Sequence, residues 1–218
     1  VATAPDVPAL EASLARIETG AGLRVLDLRL VQPYAIDLGF RLDGGARPMA
    51  SRRTADLSVL EADDRPLLHA LSQGLSLEPR PFLALGTHLG RDEAQVLARL
   101  AILQAAGIIT RLGVILRHRA LGWTANAMVV WDLPEDRIEA AGRALAAHPG
   151  VTLAYRRRPV PGVWDWQLYC MIHGQSRPET LAVLEAARAL PALAGARHKI
   201  LFSTRCFKQS GARLMEAA

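Results

Sequence analysis

Two histidines stand at the ends of apolar, strand-like runs, each in unusual company. His118 lies between Arg117 and Arg119 in RLGVILRHRALGWTANAMVVWDLP, residues 111–134, and His173 closes the run MIHG further along the chain. An imidazole titrates near neutrality and can give or take a proton at physiological pH. Guanidinium groups bind carboxylates through paired hydrogen bonds, supplying charge and direction together. These residue types describe a site for an acidic ligand, with proton transfer as the available chemistry; whether the ligand is only bound or also changed stays open at this level.

More cations follow: Arg156, Arg157 and Arg158 in succession, then Arg205 and Lys208. Side chains alternate along a strand, so Arg156 and Arg158 share one face and Arg157 takes the other. The reading favours Arg156 and Arg158 as ligand groups. The same rule constrains the first triplet. If His118 faces the ligand, Arg117 and Arg119 face away unless the strand ends or bulges there, which a turn at Gly122 permits. Trp123, Tyr155, Trp164 and Trp166 offer flat surfaces for stacking. His69, His88, His148 and His198 read as structural, and no HxxxH or HExxH spacing points to a protein-held metal.

The elements that must position these groups follow from periodicity. Residues 8–18 form an amphipathic helix stopped near Gly20 and Gly22, and 24–31 and 34–42 read as two strands. Residues 43–59 are rich in Gly, Pro, Ser and Arg and read as a linker. Helices are expected over 63–72, 81–88 and 91–106, an arrangement of the helix-turn-helix kind. From there the pattern alternates: strands 109–117 and 126–133, helix 135–147, strands 151–157 and 166–173, helix 178–189, strand 197–204. From residue 126 onward the order is βαββαβ, that of a ferredoxin-like sandwich. Residues 24–42 also lie on 196–214 without a gap, matching Leu28 to Ile200 and Gly39 to Gly211. The expected organisation is therefore 1–42 as the end of a preceding copy, 43–59 linker, 60–108 helix-turn-helix domain, and 109–218 ferredoxin-like domain carrying the site.

The chain is half apolar and carries a net charge of +5, so it can build a core and favours anionic partners. Cys170 and Cys206 form no CxxC pair, and a reduced, cytoplasmic setting is expected. No run approaches the roughly 20 apolar residues of a membrane helix. The start has no signal-peptide pattern and no initiator Met, so the chain is expected to begin inside a longer product.

The stretches LGVILRHRALGWTANAMVVWDLP, YRRRP, WQLYCMIHG and LFSTRCFKQSGARL resemble the siroheme decarboxylases, specifically the second half of fused two-copy forms in denitrifying bacteria. The likeness covers about residues 60–214, with 8–42 similar to the end of the first copy. It implies an α+β chain, a helix-turn-helix domain followed by an Lrp/AsnC-type sandwich. It implies removal of CO2 from two acetates of siroheme to give didecarboxysiroheme, towards the haem of dissimilatory nitrite reductase. By this resemblance His118 and His173 are the proton donors, either one for each acetate or one donating while the other orients. Arg117, Arg119, Arg156, Arg158, Tyr155, Trp123, Trp166 and Lys208 bind the substrate. No organic cofactor is required, and the partner is the preceding homologous half or a paired subunit. One departure is Trp123, where the family usually has Tyr after the LG. The rival reading is a DNA-binding regulator, against which Asp92 and Glu93 stand at the start of the candidate recognition helix, where they would repel phosphates.

Overall fold

The computed structural model describes residues 2, 4–36, 54–110, 112 and 118–205, with His118 described by its backbone alone. They fall into two compact units. One takes the described residues up to 36 together with 118–204; the other takes those of 54–112 and Arg205.

In the first unit, β2 (Ala125–Asp132), α5 (Glu135–Ala147), β3 (Val151–Arg157), β4 (Leu168–Gly174), α6 (Arg177–Arg188) and β5 (Arg197–Phe202) follow the expected βαββαβ order. The strands pair antiparallel in the order β3-β4-β2-β5. Alternation decides which side the helices cover. Val129 and Trp131 of β2, Ala154 of β3 and Leu168, Cys170 and Ile172 of β4 pack with Ile138, Ala141, Leu145, Leu184 and Ala187 of the helices. Burying this set is the main stabilising term of the unit, at about 25 cal/mol per Å² of apolar surface. Each helix opens on a defined signal. Pro134 precedes Glu135 and Asp136, whose charges suit the helix dipole, and Ser176 caps α6 in a reciprocal pair with Glu179.

A fifth strand completes the sheet. After α1 (Val7–Ala21), β1 (Leu30–Ile36) pairs antiparallel with the outer edge of β3. Its register slips between Leu30 and Gln32 and between Pro33 and Ala35. A proline is tolerated there because an edge strand leaves one side of its backbone unpaired. The two strands expected over 24–31 and 34–42 are thus one, over 30–36; residues 37–42 lie outside the described residues. Residues 24–29 are not strand because β3 runs out: Arg157, its last residue, stands opposite Leu30. The backbone beyond is held otherwise, with the Arg158 N–H donating to the Arg29 carbonyl at 2.8 Å and Arg157 Nη1 to the Leu28 carbonyl at 2.6 Å.

The second unit comprises α2 (Asp64–Gln73), α3 (Pro81–Leu89) and α4 (Glu93–Ala105) around Leu67, Leu85, Val96 and Leu103. The α3–α4 turn needs Gly90 at φ +67° and Gly86, where a Cβ would come 2.6 Å from the Arg91 carbonyl oxygen. Asp92 caps α4 and exchanges hydrogen bonds with Gln95. The strand expected over 109–117 is not seen at residues 109, 110 and 112, which have no regular structure; the remainder of that run lies outside the described residues.

Candidate functional site

One face of the sheet carries the helices, and the chemistry collects on the other. Tyr155 and Tyr169 are register partners on β3 and β4, and their rings stack at 5.5 Å. The Arg157 guanidinium lies over both, 4.9 Å from the Tyr155 ring centre and 5.9 Å from that of Tyr169. Trp164 donates its indole N–H to the Tyr169 hydroxyl at 2.7 Å, and Lys199 of β5 sits 5.6 Å over the Trp164 ring. The Tyr155 hydroxyl points to Met128 Sδ at 3.8 Å. Burial raises the pKa of Tyr169 above the ordinary phenol value, so it stays a neutral hydrogen-bonding group.

His173 belongs to this face by alternation from Tyr169 and stands opposite Asn126 at the start of β2. Its Nδ1 lies 2.8 Å from Thr152 Oγ1. The same end of the sheet holds the segment that carries His118. That residue opens a short 3-10 turn, His118–Leu121, followed by Gly122 at φ +86° and the entry into β2. Arg119 donates to the Ser203 carbonyl at 2.6 Å, and the Ser203 N–H donates to the Asn126 carbonyl at 2.8 Å. Asn126 therefore ties together the turn, the end of β5 and the strand facing His173.

His173, Tyr155 and the backbone of His118 are brought to the sheet face opposite the helices or to its His173 end. His118 is on a 3-10 turn and not on a strand, because the chain must reverse at Gly122; strand alternation therefore does not govern Arg119. Trp123 lies between that turn and β2, half-buried, and its carbonyl accepts from the Asn126 amide at 3.5 Å. Arg156 and Arg158 are placed differently from the expectation. Arg156 turns to the helix side and forms a two-pronged ion pair with Glu135 of α5 at 2.6 and 2.7 Å. Arg158 pairs with Asp27 at 2.7 Å. The cause is parity: Ala154 is buried against the helices, so Arg156 shares its side. Arg157 is the member of the triplet on the aromatic face. Trp166 is half-buried, with the Arg197 guanidinium 5.8 Å over its ring. Arg117 and Lys208 lie outside the described residues.

Sequence reasoning passed over Lys199 and Thr152 and set Arg157 aside. Lys199 was findable, since it pairs with Val130 and so shares the face of Met128. Among the histidines read as structural, His198 rests against Trp131, ring centres 5.2 Å apart, and burial and then the charge of Arg188 lower its pKa. A cavity of about 390 Å³ in the helical unit is lined by His69, His88, Leu75 and Leu85 among others. It has no Arg or Lys in its wall to meet carboxylates, so it does not rival the sheet face for an acidic ligand.

The four-stranded order, the helices on one face and the helix-turn-helix unit define an α+β protein of Lrp/AsnC-like architecture. Residues 64–109 match the model of the siroheme decarboxylase NirDL-like HTH domain, and 120–208 that of the AsnC-like ligand binding domain. The chain is 62% identical over 218 residues to the siroheme decarboxylase NirDL subunit of Paracoccus pantotrophus, spanning 67% of that protein. It is 41% identical over 153 residues to the NirH subunit of the same organism, covering 95% of it. A crystal structure of the siroheme decarboxylase NirDL with an iron-uroporphyrin III analogue superposes with a TM-score of 0.61 at 25% identity, over 98% of this chain and 60% of that one. The chain belongs to the siroheme decarboxylase family. Among its described residues no helix is long and apolar enough to cross a membrane.

Proposed function

We propose that this chain forms part of a siroheme decarboxylase and that the sheet face opposite the helices receives the substrate. The observation that carries the reading is His173 held by Thr152 at 2.8 Å on the face where Arg157, Tyr155, Tyr169, Trp164 and Lys199 gather. A large flat polycarboxylate needs stacking surface and cations together, and this face offers both. The family membership supplies the substrate class.

Each acetate loses its carboxylate as CO2. The electron pair left behind is absorbed by the ring and then taken up by one proton, which converts the methylene to a methyl. The balance needs one proton per acetate and neither an oxidant nor an organic cofactor. His173 donates it, with His118 as the second histidine of the site. The donor is the charged imidazolium, which neighbouring carboxylates of the substrate favour. Arg157 and Lys199 hold carboxylates, and Trp123 contributes aromatic surface between the His118 turn and β2. Arg119, Arg117 and Lys208 remain substrate-binding groups in this proposal, while Arg156 and Arg158 act through their ion pairs with Glu135 and Asp27. The functional unit pairs this chain with a homologous copy, fused or separate.

The regulator reading is weaker on a specific ground. In the helical unit Arg80 is paired with Glu93, Arg91 with Asp63, and Arg99 with Asp64 and Glu61, so these cations serve packing and not phosphates. The test is anaerobic incubation of the full protein with siroheme, followed by product masses. Stepwise loss of CO2 is expected, and its absence overturns the reading. His173→Ala should lower turnover at least a hundredfold, in line with the 10²–10⁴ contributed by general acids; full activity would remove the donor role.

A further inference from the structure

The bulge in β3 has one residue to spare, and that residue touches His173. Val151 pairs with Ile172 and Leu153 with Met171, so two steps along β3 match one step along β4, and Thr152 is the extra residue. Bulges re-aim side chains, and this one brings Thr152 Oγ1 to His173 Nδ1 at 2.8 Å. The same oxygen lies 3.3 Å from the Met171 carbonyl, to which the hydroxyl can donate. A hydroxyl has one proton and two lone pairs. With the proton directed to the Met171 carbonyl, which can only accept, Oγ1 meets Nδ1 as an acceptor, and Nδ1 carries a hydrogen.

We propose that Thr152 is a positioning residue that holds His173 as the Nδ1–H form, making Nε2 the nitrogen that hands over the proton in decarboxylation. The chemistry is consistent with the reaction. An imidazolium that gives up its Nε2 proton is left with Nδ1–H, the species Thr152 stabilises, and the ring cannot turn over without breaking that bond. The site then reloads at Nε2 from solvent, and one proton is delivered for each CO2 released. This rests on His173 acting as the donor.

The experiment uses the full protein with ¹⁵N-labelled histidine. Long-range ¹H–¹⁵N correlation above the histidine titration range reads the tautomer of His173, identified by its loss in His173→Gln. The expected result is hydrogen on Nδ1 and none on Nε2. Thr152→Val, which keeps shape and removes the hydroxyl, should mix or reverse the tautomers and lower kcat about three- to tenfold with KM little changed, the size of one neutral hydrogen bond. Thr152→Ser should restore both readouts. Hydrogen on Nε2 in the wild type overturns the proposal even if no variant folds, as does a Thr152→Val protein with unaltered tautomer and kcat. If His173→Gln were fully active, the donor reading would fail while the tautomer measurement still decided the geometry.

Discussion

Gly142 lies in the middle of α5 with the ring of Tyr34 against it. A Cβ at that position would stand 2.2 Å from Tyr34 Cε2, 2.4 Å from Cζ and 2.5 Å from Cδ2. In an unobstructed helix Gly142→Ala would stabilise by about 1 kcal/mol, because alanine loses less backbone entropy. Here the obstacle is an aromatic ring, so the ring must leave or α5 must move. Overpacking of this kind costs about 1–3 kcal/mol, and a half-buried ring returned to water adds about 1–2 kcal/mol. The clash outweighs the propensity, and the net expectation is about 1–4 kcal/mol of destabilisation. The effect should fall first on β1, because Tyr34 belongs to that edge strand and packs from it against the core of Ile138, Ala141 and Leu145.

Hydrogen exchange with mass detection should therefore show lost protection over residues 30–36, with β2 and β4 unchanged. In a Tyr34→Ala background the same Gly142→Ala change should turn stabilising by about 1 kcal/mol, since only propensity remains. A single variant at least as stable as wild type with β1 still protected would rule out the clash with Tyr34 as the governing effect. So would an equal loss of stability in both backgrounds.

Three further outcomes are expected. Arg157→Leu should raise the KM for siroheme roughly tenfold or more, the worth of a charge-assisted bond, whereas Arg156→Leu should leave it near wild type; equal effects in steady-state kinetics would contradict the facial assignment. Asp64, buried beneath Arg99 with bonds of 2.6 and 2.5 Å, has its pKa lowered chiefly by that guanidinium. Its contribution is present above the ordinary carboxylate pKa of about 3.9 and is lost as pH falls through the depressed folded value, so Asp64→Asn should be less stable at neutral pH and flatter in acid titration by circular dichroism. Burial pushes the Cys170 thiol up to about 12, so peptide mapping after alkylation at pH 8 should find Cys170 unlabelled in the native protein and labelled once unfolded.

The helices and inner strands were legible because their residues repeat a period. Glu135–Ala147 carries its apolar positions at the spacing that α5 buries, and Leu168, Cys170 and Ile172 alternate as the buried side of β4 does. The βαββαβ order follows from that alternation alone. What a period cannot convey is where a strand finds a neighbour. Residues 24–29 alternate as well as any strand, yet β3 stops opposite Leu30, and the would-be strand is held by single bonds instead. Likewise, the turn at Gly122 draws His118 into a 3-10 segment although the run before it reads as strand.

The arginine triplet teaches a sharper lesson, because the sequence held enough to choose within it. Tyr155 and Arg156 are both expected as ligand groups, but neighbours on a regular strand face opposite ways, so the two cannot share one face. In β4, Leu168, Cys170 and Ile172 form the apolar set, and Tyr169, Met171 and His173 the other. Pairing Tyr155 with Tyr169 across the ladder puts Tyr155, and with it Arg157, on the face of His173. Ala154 and Arg156 then fall to the helices, where Glu135 at the start of α5 awaits a cation. The face of His173 thus selects Arg157 by geometry that any single strand leaves undetermined and two adjacent strands settle. Thr152 escapes even that rule, since a bulge suspends alternation for one residue. Between β3 and β4 the register shifts at one place, and the residue it sets apart is the one that touches the histidine.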